Sequence, residues 1–526
     1  MTSAREMTLH DAAALAAGAR IERGAGGGNA SNGDGALVIR GLAFDSRIVQ
    51  PGDLFFAVPG FKVDGSEFVA EAVARGAVAV VAEGPVATPV PRLRVSNVRD
   101  AMGRIAARFF GDPSRELLGI GATGTNGKTT TIAICAAILA AAARAPGVMG
   151  TLTYRVGTRE EKAPRTTPEA IDLHRMLRGM VDAGNASFAM EISSHAIALG
   201  RVTGLALEAM IFTNMSRDHL DFHGTMEAYY ETKRRFFRRA DLAALNASVT
   251  RAVINIDDAY GQRLARETDL PLTTFGRARD ATVRVEAIEE TLSGSRLRVA
   301  APRGGFEFWL PLPGRFHQEN ALAAIAAAEA LELPRSAVVS ALETVATVPG
   351  RFQLIESTLG ISVIVDYAHS PDGLSSLLRA VRPLAPRRVI TLFGCGGDRD
   401  RGKRPLMGAA AGEGSDFVVL TSDNPRNEEP GAIIAEAEAG LLPTGTAYVV
   451  CEDRRRAIAT ALDEAAPGDT VILAGKGHEE YQEIRGVRTP FQDAEIVTAL
   501  LREREALARE RAAREERNHQ RGDRRS

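Results

Sequence analysis

The sequence predicts an α/β protein of three domains: an N-terminal α/β domain, a central P-loop ATPase-like α/β domain and a C-terminal Rossmann-like doubly wound domain. Three observations carry that expectation. The chain has 526 residues, more than one hydrophobic core accommodates. Residues 117–142, "LLGIGATGTNGKTTTIAICAAILAAA", read as an apolar strand, a Gly/Thr loop and a helix, the setting a phosphate loop requires. From Gly350 onward, "GRFQLIE", "ISVIVDYA", "RRVITLFG", "DFVVLTSD", "AYVVC" and "DTVILAG" recur, each followed by a loop or helix, which is the pattern of a doubly wound sheet.

The first domain is expected over 1–115. The strand-like "ALVIRGLAF" and "DLFFAV" are followed by the helical "EFVAEAVARG" and the apolar "AVAVVAEG". The glycine-rich Gly24–Gly35 is expected to be a flexible loop. The central domain is expected over 116–348, with strands at "SFAMEIS" and "LEAMIFTNMS" and a helix at "NALAAIAAAEAL". The third is expected over 349–505. Residues 506–526 are nearly all charged or small and are expected to be a helix that frays into disorder; their glutamates, interleaved with arginines, speak against nucleic-acid binding.

Composition narrows the function classes. A net charge of −2 gives no global attraction to nucleic acid or anionic membrane. Cys135, Cys395 and Cys451 are too far apart for a metal cluster or a disulfide framework, which suits a reducing compartment. No run of about 18 apolar residues occurs, so no membrane span is expected, and the N-terminus does not read as a signal peptide. The expectation is a cytoplasmic protein, and a monomer.

"GATGTNGKTTT" (Gly121–Thr131) departs from G-x-x-x-x-G-K-[ST], because Ala122 stands where the first glycine belongs. Gly124 and Gly127 permit the tight turn, and the helix that follows adds its dipole. Lys128 is placed to reach the β- and γ-phosphates and Thr129 to set a hydroxyl on Mg²⁺. A switch or motor ATPase normally ends a neighbouring strand in aspartate; here "FAMEISSHA" ends in Glu191.

"TGTNGKTT" resembles the ATP loop of the Mur ligase superfamily, and the segments that follow extend the resemblance. Gly124, Thr125, Asn126, Gly127, Lys128, Thr129 and Thr130 match its phosphate cradle, and Asn320 in "GRFHQENALAA" its adenine-side segment, with His317 where Asn is more usual. Arg351 in "VPGR" and Asp366 in "VDYAHSPDG" match residues that reach ATP from the C-terminal domain. His219 in "NMSRDHLDFHG" and Lys233 in "AYYETKRRFF" match the metal-side pair, in which the family's lysine carries a CO₂-derived carbamate and acts as a carboxylate near a second Mg²⁺. An unmodified ammonium has no lone pair for a cation. The resemblance thus implies Lys128, Glu191, His219 and Lys233 as the catalytic set, and Thr129, Glu191, His219 and Lys233 as holding two Mg²⁺.

Further segments resemble the MurE family. "FDSRIVQPGDLFFAVPGFKVDG" is similar to its uridine-nucleotide-binding start, implying contacts from Phe44, Ser46, Phe61, Lys62 and Val63. Thr166 and Thr167 in "RTTPEA", with Ser193 and Arg201, match contacts to the muramoyl dipeptide; Leu199 stands where some relatives carry Gln. "DNPR" (Asp423, Asn424, Pro425, Arg426) resembles the signature of enzymes that add meso-diaminopimelate. That amino acid has one more carboxylate than lysine, and a guanidinium grips a carboxylate through two parallel hydrogen bonds. The resemblance gives Arg399 and Arg426 this role, and a buried arginine left unpaired by lysine discriminates strongly. Gly475 and Glu479 in "AGKGHEEYQ" match the site of the distal amino-acid group. The implied reaction joins meso-diaminopimelate to the D-Glu carboxylate of UDP-MurNAc-L-Ala-D-Glu at the expense of ATP, through an acyl phosphate. The alternatives are a lysine-adding MurE, a folylpolyglutamate synthase-like ligase, a mechanical ATPase or a nucleotide-binding scaffold.

Overall fold

A computed structural model describes residues 6–23, 35–60 and 63–523, with side chains through Arg514. Phe61, Lys62 and nearly all of the Gly24–Gly35 loop lie outside the described residues.

The N-terminal unit is built on a five-stranded sheet, in the spatial order Arg20–Glu22, Arg92–Arg94, Ala79–Ala82, Asp53–Phe56 and Gly41–Ala43. Only Arg20–Glu22 runs antiparallel to its neighbour. The helix Val98–Phe109 starts at Asn97, whose side chain accepts from the Asp100 N–H, and buries Val98, Met102 and Ile105. Ala170 and Ile171, from the first turn of the helix Ala170–Asp182, pack into this core and join it to the central unit.

The central sheet has eleven strands. Its parallel heart runs Pro146–Met149, Ser187–Glu191, Leu118–Thr123, Ala206–Phe212, Ser248–Asn255 and Leu272–Gly276. Parallel strands are covered on both faces, which is why "SFAME" and "ALEAMIF" show no polar alternation. One face packs on the helix Lys128–Ala141 and on Arg315–Ala330, whose run of alanines allows burial nearly all round. The other packs on Ala170–Asp182 and on Tyr229 and Tyr230 of the helix Met226–Arg234.

The sequence expects continued α/β alternation to Val348, and here the structure differs. Val283–Thr291, Gly294–Ala300 and Phe306–Leu310 form an antiparallel meander on the edge of the sheet. Only Leu292 and Ser293 link the first two strands, too short a connection for a parallel crossover.

The C-terminal sheet follows the doubly wound expectation. Its order is Gln353–Glu356, Ser362–Asp366, Thr470–Ala474, Val389–Phe393, Phe417–Leu420 and Ala447–Val450, with only the first strand antiparallel. The last helix runs from Asp493 to Asp523, so the charged tail expected to fray is helical through nearly its whole length. Alternating arginine, glutamate and alanine are good helix formers and supply pairs of opposite charge one turn apart, such as Glu505 and Arg509. Among the described residues, no helix is long and apolar enough to cross a membrane.

Candidate active site

A cavity of about 730 Å³ opens between the central and C-terminal units. Gly124–Thr130, Glu191, Ser193, His219 and Lys233 line it from one side, and Arg351, Asp366, Tyr367 and His369 from the other.

The phosphate loop leaves the strand Leu118–Thr123 and turns at Gly124 (φ +151°) and Gly127 (φ +85°). A Cβ at Gly124 would meet Thr213 Oγ1 at 1.9 Å, and one at Gly127 would meet Asn320 Oδ1 at 2.3 Å, so both positions need glycine. Asn320 thereby sits directly against the loop, where its side chain also accepts from Thr131 Oγ1 at 3.3 Å. The Thr125 and Asn126 N–H groups are taken by Asn214. The helix starting at Lys128 has no side-chain cap, so its first-turn N–H groups face the cavity with the positive end of its dipole. Lys128 Nζ curls back to the Gly124 and Thr125 carbonyls at 3.0 and 2.9 Å, and burial lowers its pKa.

Glu191 ends its strand beside this loop. One carboxylate oxygen accepts from Thr129 Oγ1 and Thr151 Oγ1, each at 3.1 Å, and the other from the Thr151 N–H at 2.7 Å. Thr129 and Glu191 thus present two oxygens together, the hard donors Mg²⁺ takes alongside phosphate. Among the described residues, no group of three or more His, Cys, Asp or Glu side chains is placed to hold a metal by itself.

Lys233 lies one turn beyond Tyr229 on its helix and is 1% exposed. Its Nζ donates to Gly124 O at 2.9 Å and sits 4.6 Å from the centre of the Tyr229 ring, with no ion pair among the described residues. Burial, with the nearby Lys128 charge second, pushes its pKa well below the ordinary lysine value. Burial therefore disfavours the charged ammonium. His219 adopts φ +54°, a strained conformation for a non-glycine residue. Its ring lies 3.6 Å from Asp218 and meets His195 edge-on at 4.8 Å between centroids, and burial lowers its pKa to about 4. His223, which the sequence reading passes over, bonds Ser194 Oγ at 2.9 Å and stacks obliquely on Tyr229.

Thr166 touches Thr151 at 3.2 Å, and Thr167 donates to the Glu191 carbonyl at 2.9 Å and accepts from the Ser193 N–H at 3.1 Å. Beside them Glu169 is shared by Arg201 at 2.9 Å, by Arg99 at 3.8 Å and by Arg165. Three guanidiniums on one carboxylate leave this wall net positive, suited to an anionic ligand. The "PEA" that follows the threonines carries that signal.

Across the cavity Arg351 lies over the Tyr367 ring at 4.6 Å and has a buried Nε without a partner. Asp366 accepts from the Phe352 and Ala368 N–H groups, at 2.7 and 2.8 Å, which fixes the loop bearing Arg351.

Among the described residues, the remaining expected ones stand outside this cavity. Ser46 donates to Glu71 at 2.7 Å, Phe44 is half-buried against the N-terminal core and Val63 is exposed. In the C-terminal unit, Asn424 donates to Glu479 at 2.7 Å, and Lys476, fully buried, donates to both at 3.1 Å. Gly475 (φ +111°) lies under Asp423, whose Oδ2 a Cβ there would approach to 2.8 Å. Burial and then the Asp423 charge raise the Glu479 pKa. Arg426 and Arg399 flank Gly396, but neither is the buried arginine expected: Arg426 is half-buried, donating to Gly397 O at 2.7 Å, and Arg399 is exposed. Both follow glycine or proline turns in loops at the C-terminal ends of the interior strands Val389–Phe393 and Phe417–Leu420. Arg404, missed by sequence reading, is fully buried, bonds Glu428 and Glu436, and donates to Gly396 O at 3.3 Å.

Comparison with known proteins covers this whole arrangement. Three family models match in order: the Mur ligase family catalytic domain over 38–110, the Mur ligase middle domain over 122–328, and the Mur ligase glutamate ligase domain over 350–477. A UDP-N-acetylmuramoyl-L-alanyl-D-glutamate–2,6-diaminopimelate ligase from Geobacter metallireducens is 44% identical, covering 90% of this chain and 96% of its own. One from Gloeobacter violaceus is 45% identical over 90% and 95%. A solved structure of a ligase of the same name is 35% identical, with a TM-score of 0.63 over 89% of this chain and 95% of its own. MurF from Acinetobacter baumannii, at 18% identity and a TM-score of 0.62, shares the fold.

Proposed function

The chain belongs to the Mur ligase family, among its diaminopimelate-adding MurE members, and from that premise we propose how its own residues carry out the reaction. It is an ATP-dependent ligase that joins meso-diaminopimelate to UDP-MurNAc-L-Ala-D-Glu in peptidoglycan precursor synthesis.

The observation that carries the assignment of roles is the convergence, in one cavity, of the phosphate loop, Glu191 and Lys233 with Arg351 from the C-terminal unit. A carboxylate is a poor acyl donor, so the D-Glu carboxylate first takes the γ-phosphoryl group of ATP. The acyl phosphate is then attacked by the amine of diaminopimelate, and phosphate leaves. Three anionic groups meet in the first step. The first-turn N–H groups and Lys128 bind the triphosphate, and Arg351, with its free Nε, approaches it from the opposite wall. Lys128 must leave the Gly124 and Thr125 carbonyls to do so. Thr166, Thr167, Ser193 and Arg201 hold the muramoyl dipeptide against the positive wall around Glu169, and the N-terminal unit takes the uridine end through Phe44, Ser46 and the turn at 61–63.

Thr129 and Glu191 fit a first Mg²⁺, and Glu191, His219 and a carbamylated Lys233 a second; when bound, the ions offset the charge of the phosphoryl group in flight. Forming the carbamate joins the free Lys233 amine to CO₂ and releases one proton. His219, its pKa at about 4, is neutral at pH 7 and adds no positive charge of its own. In the C-terminal unit Arg399 and Arg426 take the distal carboxylate of diaminopimelate, while Asn424, Gly475 and Glu479 take its ammonium. A central cavity walled by two units keeps water from the acyl phosphate. We place the reaction in the cytoplasm, with the monomer as the working unit.

Phosphate release by the purified protein with ATP, Mg²⁺ and UDP-MurNAc-L-Ala-D-Glu tests this reading. Release that depends on meso-diaminopimelate, with a tripeptide product by mass, is expected. Release with L-lysine instead overturns the roles given to Arg399 and Arg426, and release indifferent to both amino acids overturns the ligase mechanism.

A further inference from the structure

Two of the segments assigned above to diaminopimelate, those bearing Asp423 and Glu479, leave the ends of the strands Phe417–Leu420 and Thr470–Ala474. These strands are not neighbours: Val389–Phe393 runs between them. They stand two strand spacings apart, roughly 9–10 Å, and share no ladder hydrogen bonds. Val389–Phe393 pairs with both and sets the spacing of the strands; beyond the strand ends, where Asp423 and Glu479 lie, contacts between the loops hold the two carboxylates.

One side chain bridges them from beneath. Arg454 opens the helix Arg454–Glu464, and its Nη1 donates to Ser422 O at 3.3 Å while its Nη2 donates to Ala474 O at 3.0 Å. Those carbonyls immediately precede Asp423 and Gly475. Asp493, at the start of the last helix, meets the guanidinium with two bonds, Nε to Oδ1 at 2.9 Å and Nη2 to Oδ2 at 2.6 Å. Arg454 is 1% exposed and Asp493 is completely buried. A buried ion pair is a weak source of stability, since apolar residues of similar volume often do as well. A guanidinium with two fixed forks is, by contrast, well suited to hold separate carbonyls at a set distance. Above it, Lys476 ties Asn424 to Glu479, Asn424 donates to Glu479 directly, and Gln482 and the Glu483 N–H bond Asp423 O and Asn424 Oδ1, so the bridge from Arg454 adds to contacts the loops make themselves.

We infer that Arg454, oriented by Asp493, is a positioning residue that sets the spacing of the Asp423 and Glu479 carboxylates and thereby the enzyme's affinity for an amino acid with a distal ammonium. The inference rests on the assignment of these loops to diaminopimelate. It extends the specificity determinants from the residues that touch the substrate to a pair beneath them. Arg454 adds a buried positive charge that acts on both Asp423 and Glu479, beside that of Lys476, which bonds Glu479 directly.

Two variants test it, each followed by thermal melting and steady-state kinetics for all three substrates. Asp493→Asn keeps the shape and removes the charge; Arg454→Met with Asp493→Leu removes both charges and the bridge, and remains foldable if Asp493→Asn does not. The expected result is a KM for meso-diaminopimelate raised tenfold or more, with the KM values for ATP and UDP-MurNAc-L-Ala-D-Glu within twofold of the unaltered enzyme. A folded variant whose KM for diaminopimelate is unchanged, or in which all three KM values rise together, overturns the inference. Unaltered enzyme that ignores diaminopimelate overturns the underlying assignment instead, so the two failures are distinct.

Discussion

Glu191→Gln separates the structural from the chemical work of the carboxylate at the centre of the cavity. Glu191 Oε1 accepts from the Thr151 N–H at 2.7 Å, and glutamine can keep that bond with its amide oxygen. The other oxygen accepts from the Thr129 and Thr151 hydroxyls, both at 3.1 Å. A glutamine NH₂ in that place donates, and both hydroxyls can rotate to accept. The local network therefore survives with its polarity reversed, and the expected loss of stability is about 1 kcal/mol, the value of an exchanged hydrogen bond. What does not survive is the negative charge and the hard oxygen facing Thr129. Loss of one preorganised electrostatic partner of a reaction costs on the order of a hundred- to a thousandfold in rate, or about 3–4 kcal/mol. Phosphate release with all substrates present should thus fall at least a hundredfold, while the melting temperature moves by a few degrees. Activity within tenfold of the unaltered enzyme refutes the role given to Glu191. A collapse in melting temperature that accounts for the lost activity refutes the argument that the hydroxyls adapt.

Other perturbations follow from the same structure. Arg426→Lys replaces a fork with a point charge, so the KM for diaminopimelate should rise tenfold or more with ATP affinity unchanged, as steady-state kinetics will show. Gly127→Ala imposes a left-handed conformation at a cost of roughly 1–2 kcal/mol and drives a Cβ into Asn320, so nucleotide binding measured by calorimetry should weaken at least tenfold. His174 and His317 are buried, with pKa values lowered from 6.5 to about 4. The unfolded chain binds their protons first, so stability is full above pH 6.5 and is lost as pH falls toward 4. At pH 5 the two together cost about 4 kcal/mol, which melting curves at pH 8 and pH 5 should reveal as a clear drop.

Local sequence order was enough to read the strands and helices around the site. The phosphate loop announces itself because glycine spacing, the apolar strand and the helix all lie within 26 consecutive letters. Glu191, Lys233 and Arg351 were legible as candidates through motif resemblance, the first two at or near the end of an element and the third in the loop before Gln353–Glu356. The antiparallel meander was not, because strands such as Val283–Thr291 and Gly294–Ala300 differ from crossover strands only in their short connection. Arg404 and Arg454 were also hidden. Arginine is usually exposed, and nothing local marks two of them as fully buried when their partners Glu436 and Asp493 lie 32 and 39 residues away. His223 was passed over, because its partner Ser194 lies 29 residues earlier.

Lys233 has one further consequence. An amine enclosed by Tyr229, Thr123 and the Gly124 carbonyl sorts reagents by size. A reagent reaches it only along the cavity that Lys233 lines and at a side chain 1% exposed, so a bulky acylating agent is hindered where a small gas molecule is not. Lysine-labelling chemistry applied to the folded protein should therefore mark surface residues such as Lys162 and leave Lys233 untouched. Under the carbamate role proposed for Lys233, activity is expected to follow the dissolved CO₂ supplied to the enzyme.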